Sequence, residues 1–283
     1  HDAAMALVLE SLTEGSTKAI DSLSEIDAVG HRIVQGGKYF DRSGLIDDDV
    51  RAKKDELAEL APLHNGAALM GIRACLNHIP GVPMVAVFDT SFFQTLPPKA
   101  YMYPLPYEMY EKYAIRKYGA HGTSHRYIAE RAAAVLDEPL EDLKLITCHL
   151  GNGCSISAID HGVAVDTSMG LTPLDGLMMG TRCGAIDPAC VTFIMEHEGL
   201  SAAEMNDLMN KKSGLLGISG VSNDLRSVRD ASEQGDARAM LAYDMYSNSV
   251  KKYIGSYIAV MGGVDAIVLT AGVGENCEKM RRM

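Results

Sequence analysis

The chain has 283 residues, 47% of them hydrophobic, a mean hydropathy of zero and a formal net charge of −11. That length exceeds what one core usually organises, so two domains are expected, and no apolar run approaches the roughly 18 residues of a membrane span. The acidic balance excludes a nucleic-acid backbone as main partner, because such proteins carry clustered Lys and Arg, but it leaves room for a small anion held by a few cations and backbone N–H groups.

In chain order, HDAAMALVLESLTEG places Met5, Val8, Leu9 and Leu12 at helical spacing and predicts a helix. IDAVGHRIVQGG, 26 to 37, reads as a strand delivering His31 and Arg32 to a Gly-Gly loop. VPMVAVFDTSF, 82 to 92, is a buried strand that ends on Asp89. A carboxylate at a strand's C-terminal end in an α/β protein lies where ligands bind. A Pro- and Tyr-rich connection, 99 to 113, leads to YGAHGTSH, and SHRYIAERAAAVL then predicts a helix whose first turn holds Ser124 and His125.

Next, LKLITCHLGNGCSISAIDHGVAV has two alternating apolar runs around Gly-Asn-Gly, a hairpin signal. Helices are predicted at 188 to 198, 201 to 212 and 235 to 262, and a last strand in DAIVLTAGVGEN, 265 to 276, runs into a glycine loop. Hairpins together with strand-helix alternation predict an α/β fold of mixed sheets flanked by helices, in preference to a doubly wound parallel sheet. Six cysteines form no CxxC pair and no zinc spacing, and no signal peptide is visible in a chain that opens on His1, so a reducing cytoplasm is expected.

Chemistry gathers in a few places. HLGNGCS, 149 to 155, and AGVGEN, 271 to 276, put glycines at strand ends, where successive N–H groups can cradle a phosphate; each is also an ordinary turn. Neither fits a Walker or a Rossmann pattern. GHRIVQGG and MMGTRCGAIDP each set an arginine, Arg32 and Arg182, among glycines, which suits a carboxylate or a phosphate. In YGAHGTSH a metal would need a third ligand, and Gly-Thr-Ser separates the two histidines. His121 is therefore expected in a loop beside a helix N-terminus that favours an anion, and His125 as a structural first-turn residue whose ring need not face it.

The ordered motifs GHRIV..GG, LAPLHN, VFDTSFFQT, RKYGAHGTSH, ITCHLGNGCSISAI, VDTSMGLTPLDGLMMGTRCGAIDP, LMNKKSGLLGISGVSNDLR and VDAIVLTAGVGEN resemble the acetate kinase family along essentially the whole chain. The resemblance implies a two-domain actin-like ATPase fold (ribonuclease H-like), here with the first, acceptor-side domain over 1 to 92 and the nucleotide-side domain over 93 to 283. It implies direct in-line transfer of the ATP γ-phosphoryl group to acetate, with ATP/ADP and Mg²⁺ as cofactors, in a cytoplasmic homodimer with no nucleic-acid or membrane partner. Asp89, His121 and Arg182 are the catalytic positions it implies. Arg32 would hold the substrate carboxylate, and Val34, Leu63 and Pro173 would line the acyl pocket, with His64 close by. For the nucleotide it implies His149, Leu150, Gly151, Asn152 and Gly153 at the phosphates, and Asp224, Leu225, Arg226, Gly272, Val273, Gly274, Glu275 and Asn276 at the adenosine end.

Three positions depart from the family pattern: Ala120 stands where the family has Phe, Gln35 where it has His, and Phe93 where it has His. Ala120 removes a ring beside the acyl pocket, so propionate or butyrate is the alternative acceptor. A nucleotide-binding fragment without turnover is the alternative from another class. The family's opening Asn-x-Gly-Ser-Ser-Ser-Leu-Lys type loop and its late magnesium-holding glutamate have no counterpart here. The fold is thus expected to be incomplete at both ends, no metal ligand is expected in this chain, and the 283-residue polypeptide is expected to lack an activity that the intact protein has.

Overall fold

A computed structural model describes residues 2–47 and 62–283, with side chains in the second stretch from 66 onward. The chain forms two compact units that divide between Gln94 and Thr95. The division follows from hydrogen bonds: Gln94 Nε2 donates to the Gly37 carbonyl at 2.9 Å, whereas Thr95 Oγ1 donates to the Ala164 carbonyl at 3.0 Å.

In the first unit, strands β1 (Val29–Ile33), β2 (Gly44–Leu45) and β3 (Met84–Phe88) form a sheet in the order β1-β3-β2. β3 runs parallel to β1, with Arg32 opposite Val87 and Ile33 opposite Phe88, and antiparallel to β2. Alternation along β3 turns Met84, Ala86 and Phe88 inward. Helices α1 (Asp2–Thr13) and α2 (Pro62–His78) contribute Leu9, Ile72 and Cys75 to the core around these residues, and Ile79 joins them just past the end of α2. Of the apolar positions expected in α1, Leu9 is buried and Met5 and Leu12 pack beside it, but Val8 is 53% exposed. Phe40 stacks on Phe88 with ring centroids 4.3 Å apart.

In the second unit, β4 (Lys144–Leu150), β5 (Cys154–Asp160), β6 (Val163–Thr167) and β7 (Ala266–Thr270) make a mixed sheet in the order β6-β5-β4-β7. β4 and β5 are the antiparallel hairpin expected from Gly-Asn-Gly, with His149 opposite Ser155 and Leu150 opposite Cys154, and β7 adds to β4 in parallel. The connection at 99 to 113 contains two short helices, α3 (Pro98–Tyr101) and α4 (Tyr107–Tyr113). Proline at the first position of α3, where an N–H would be unpaired anyway, explains how a Pro-rich stretch still turns helical.

Helix α5 (Gly122–Leu136) lies on the sheet face that carries Thr147, His149 and Ser155. α6 (Pro188–Glu198), α7 (Ala202–Lys211), α8 (Gly214–Ser219), α9 (Leu225–Glu233) and α10 (Ala237–Met261) follow. α10 covers the opposite sheet face, where the Tyr246 hydroxyl lies 3.2 Å from Cys154 Sγ. Period-two alternation places Ile146, Cys148, Cys154 and Ile156 on that face, all at zero exposure. The expected glycine loop at 271 to 276 is instead a short helix, α11 (Ala271–Asn276), followed by α12 (Glu278–Arg282). The glycines that read as loop residues satisfy their backbone groups by helical turns, and Gly274 packs against the end of β7 where a Cβ would lie 3.3 Å from the Leu269 carbonyl carbon.

Phe88→Ala should lower the stability of the first unit by about 3–5 kcal/mol, because it opens a cavity beneath Phe40 in a buried cluster. Denaturant unfolding followed by a probe placed in that unit measures the change.

Candidate functional site

Arg32 leaves the end of β1 and Asp89 follows the end of β3, so the parallel register brings them side by side. Arg32 Nε donates to Asp89 Oδ1 at 3.1 Å and Nη2 donates to Oδ2 at 2.5 Å, a two-pronged pair between an exposed guanidinium and a carboxylate at zero exposure. The buried partner fixes the plane of the arginine fork, which is the geometry a second carboxylate needs. Val34 is half-buried beyond Arg32. Gln35, at a departure from the family pattern, is buried and its Oε1 accepts from the Gly37 N–H at 2.9 Å. Phe93, at another, is fully buried. Leu63 and His64 fall outside the residues whose side chains are described.

The second unit brings His121, His149 and Arg182 around the hairpin turn. His121 is the N-cap of α5 with a left-handed φ of 58°, a conformation that a non-glycine residue holds only under constraint. Its ring stacks on that of His149 with centroids 4.2 Å apart. Its Nδ1 lies 2.8 Å from Ser155 Oγ, and the same hydroxyl lies 2.7 Å from His125 Nε2. The two rings, which need not face one another, thus share one serine as partner. That serine stands in the outgoing arm of the hairpin, directly opposite His149. Only a three-dimensional register could have selected it from the many serines of this sequence.

Arg182 comes from an irregular segment between β6 and α6 and is tied down at both ends. Its Nη1 donates to the Pro173 carbonyl at 3.2 Å, and its own carbonyl accepts from the Met179 N–H at 3.1 Å. Burial pulls its guanidinium below the ordinary arginine pKa. A Cβ built on Gly153 would lie 3.4 Å from Arg182 Nη1 and 3.7 Å from His121 Nε2. Two nitrogen groups thus converge on the last residue of the turn, which keeps that space open by having no side chain.

The same turn forms one wall of a cavity of about 510 Å³. Gly151, Asn152, Asp224, Leu225, Arg226, Gly272, Val273 and Asn276 line it. Leu215, Asn223, Arg229 and Cys277 line it too and were not singled out in the sequence. The SNDLR stretch could have signalled Asn223, whose Nδ2 donates to Asn152 Oδ1 at 3.1 Å. Asp224 caps α9 by accepting from the Arg226 N–H, and its two oxygens hold the Arg226 guanidinium, whose hydrogen bond keeps the carboxyl below its usual pKa.

His149, Leu150, Gly153, Gly274 and Glu275 are not among the lining residues. The His149 ring sits under α5 with Nδ1 2.8 Å from Ser124 Oγ, the Leu150 side chain is fully buried, and Glu275 accepts from Thr270 Oγ1. Among the described residues no three His, Cys, Asp or Glu side chains gather to hold a metal ion, and no helix is long and apolar enough to cross a membrane.

Comparison with protein families matches residues 1–283 to the Acetokinase family. The chain is 59% identical over 281 residues to the acetate kinase of Halothermothrix orenii, covering 99% of this chain and 71% of that protein. It is 60% identical over 276 residues to the acetate kinase of Caldicellulosiruptor bescii, covering 98% and 69%. Among solved structures it is similar to Porphyromonas gingivalis acetate kinase, with a TM-score of 0.95 at 51% identity over 100% of this chain and 71% of that one. It is also similar to a propionate kinase from Francisella tularensis, with a TM-score of 0.93 at 46% identity over 99% and 71%.

His125 supplies a test of this arrangement. Full burial pushes its pKa down from 6.5 to about 3, so the folded protein keeps it neutral while the unfolded chain protonates. Its contribution is complete above pH 6.5 and is lost as pH falls toward 3. The wild type should lose stability steeply across that window, and His125→Asn should flatten the acid limb in denaturation curves taken at a series of pH values. Equal slopes for the two proteins would contradict it.

Proposed function

We propose that this chain, which belongs to the acetokinase family and has its mixed α/β, actin-like ATPase fold, transfers the γ-phosphoryl group of ATP reversibly to acetate, giving acetyl phosphate and ADP. The observation that carries the reading is the convergence of His121 Nε2 and Arg182 Nη1 on Gly153, in the turn whose Gly151 and Asn152 line the 510 Å³ cavity. A carboxylate oxygen attacking a phosphoryl group meets like charge, and the loose transition state spreads negative charge over three equatorial oxygens. Fixed donors aimed at that charge lower the barrier more than any other single effect available to such a site. The carboxylate oxygen forms the new bond to γ-phosphorus, and the electron pair of the broken bridging bond leaves with ADP.

Arg32 presents its fork to the carboxylate, Asp89 holds that fork in place, and Val34 takes the acyl methyl group. Positioning is the role of Asp89 that its bidentate bond to Arg32 supports. Asp224 to Arg226 and α11 receive the adenosine end, and Gly151 to Gly153 the phosphates. In these terms residues 1–94 are the acceptor-side domain and 95–283 the nucleotide-side domain. Magnesium bound with the nucleotide would supply neutralisation of phosphate charge. Among the described residues no three His, Cys, Asp or Glu side chains gather to hold it. Cysteines that are all unpaired fit a cytoplasmic enzyme, and we propose a homodimer there.

A longer acid is the second reading. Ala120 is 1% exposed, immediately precedes His121 and carries no ring, and one of the similar structures is a propionate kinase. An added methylene in an apolar pocket changes discrimination by about 10–200-fold.

The test is formation of acyl phosphate, trapped as a hydroxamate, by the full-length protein with ATP, magnesium and acetate, propionate or butyrate. Acetyl phosphate is expected; no acyl phosphate with any of the three acids overturns the reading. Gly153→Ala should leave stability within about 1 kcal/mol, since its methyl makes ordinary contacts, yet lower kcat by about 10²-fold by standing between the two donors. Ala120→Phe should raise the preference for acetate over propionate, and an unchanged preference removes Ala120 as the cause.

A further inference from the structure

The polar side chains beneath α5 form one continuous line: Thr147 Oγ1 lies 2.6 Å from His125 Nδ1, His125 Nε2 lies 2.7 Å from Ser155 Oγ, and Ser155 Oγ lies 2.8 Å from His121 Nδ1. Thr147, His125 and Ser155 are all at zero exposure. We propose that Thr147 and His125 are positioning residues which, through Ser155, hold His121 in the neutral tautomer that carries its proton on Nε2. The consequence for catalysis rests on the acyl kinase reading above.

The direction of the line follows from counting protons. Among the described residues, the hydrogen bond of the Thr147 hydroxyl is the one to His125 Nδ1. If His125 Nδ1–H donated to Thr147, the threonine's own proton would be buried with no acceptor, at the full desolvation cost of an unmade hydrogen bond. Thr147 therefore donates and Nδ1 accepts. A neutral imidazole with an accepting Nδ1 has its proton on Nε2, and burial keeps His125 neutral. His125 Nε2–H then donates to Ser155 Oγ.

Ser155 has one proton, and His121 and His125 are its side-chain partners. Since His125 is already donating, Ser155 donates to His121 Nδ1. That nitrogen being an acceptor, the proton of neutral His121 sits on Nε2, on the side that faces Gly153 and Arg182. The reverse direction would strand the Thr147 proton and turn a lone pair of His121 toward a phosphoryl anion. The buried threonine thus sets a hydrogen-bond direction two residues away, and His121 acts as a donor without having to be protonated.

Two-bond ¹H–¹⁵N correlation on full-length protein carrying ¹⁵N-labelled histidine tests this. His121 in the wild type should show a pyrrole-type Nε2 and a pyridine-type Nδ1. Thr147→Val, of equal shape, should shift His121 toward the other tautomer and lower kcat about tenfold, with KM for acetate and for ATP changed by no more than about twofold. Thr147→Ser, which restores the hydroxyl, should recover both signals and kcat. Ser155→Ala should lower kcat by about 10–100-fold; should it not fold, the threonine pair decides. A wild-type His121 with its proton on Nδ1, or a Thr147→Val enzyme with kcat within about twofold of wild type, overturns the proposal. Absence of acyl phosphate formation by the wild type overturns the acyl kinase reading instead, and the tautomer measurement remains decisive for the line itself.

Discussion

The hydroxyl of Ser155 sits without solvent contact between two imidazole nitrogens, and the geometry of the second unit is organised around keeping it there. It can be there because the β4–β5 hairpin pairs Ser155 with His149 across a turn closed by the Gly151 N–H donating to the Gly153 carbonyl at 3.1 Å. A slip of one residue would turn Ser155 to the opposite face and bring Cys154 in its place. The turn that fixes the register ends on Gly153, the residue on which His121 and Arg182 converge.

Polar groups on a buried sheet face cost stability unless every one is paired. Thr147 and Ser155 pair with His125, Ser124 pairs with His149, and Ser157 Oγ lies 2.9 Å from Thr167 Oγ1. The opposite face is apolar and bears the long helix α10. The sheet therefore has one face that supplies packing and one that positions hydrogen bonds.

Much of this was legible in the sequence. The hairpin, the helix after YGAHGTSH and the mixed character of the sheet follow from alternation and from Gly-Asn-Gly, both local signals. Asp89 at a strand end and Arg32 before a glycine pair were visible as candidates, but their pairing was not, because it depends on the parallel register of strands more than fifty residues apart. The alternation of Thr147, His149, Ser155 and Ser157 with apolar neighbours was equally plain. Only the position of α5 shows that the polar half is buried and networked. AGVGEN misled in the other direction: its glycines read as a loop, yet close packing of Gly274 against β7 accompanies a short helix.

In the first unit the constraint is a buried carboxylate, Asp89, that can be satisfied by the Arg32 guanidinium and thereby orients it. In the function proposed above, Arg32 takes the carboxylate, and His121 with Arg182 the phosphoryl group. The most direct measurement of that division of labour is a structure of the full-length protein with ADP, acetate and a planar mimic of the transferring phosphoryl group. Equatorial atoms of the mimic should lie at about 2.7–3.1 Å from both His121 Nε2 and Arg182 Nη1, with the acetate oxygens on Arg32. A mimic bound elsewhere, with those two nitrogens unengaged, would contradict it.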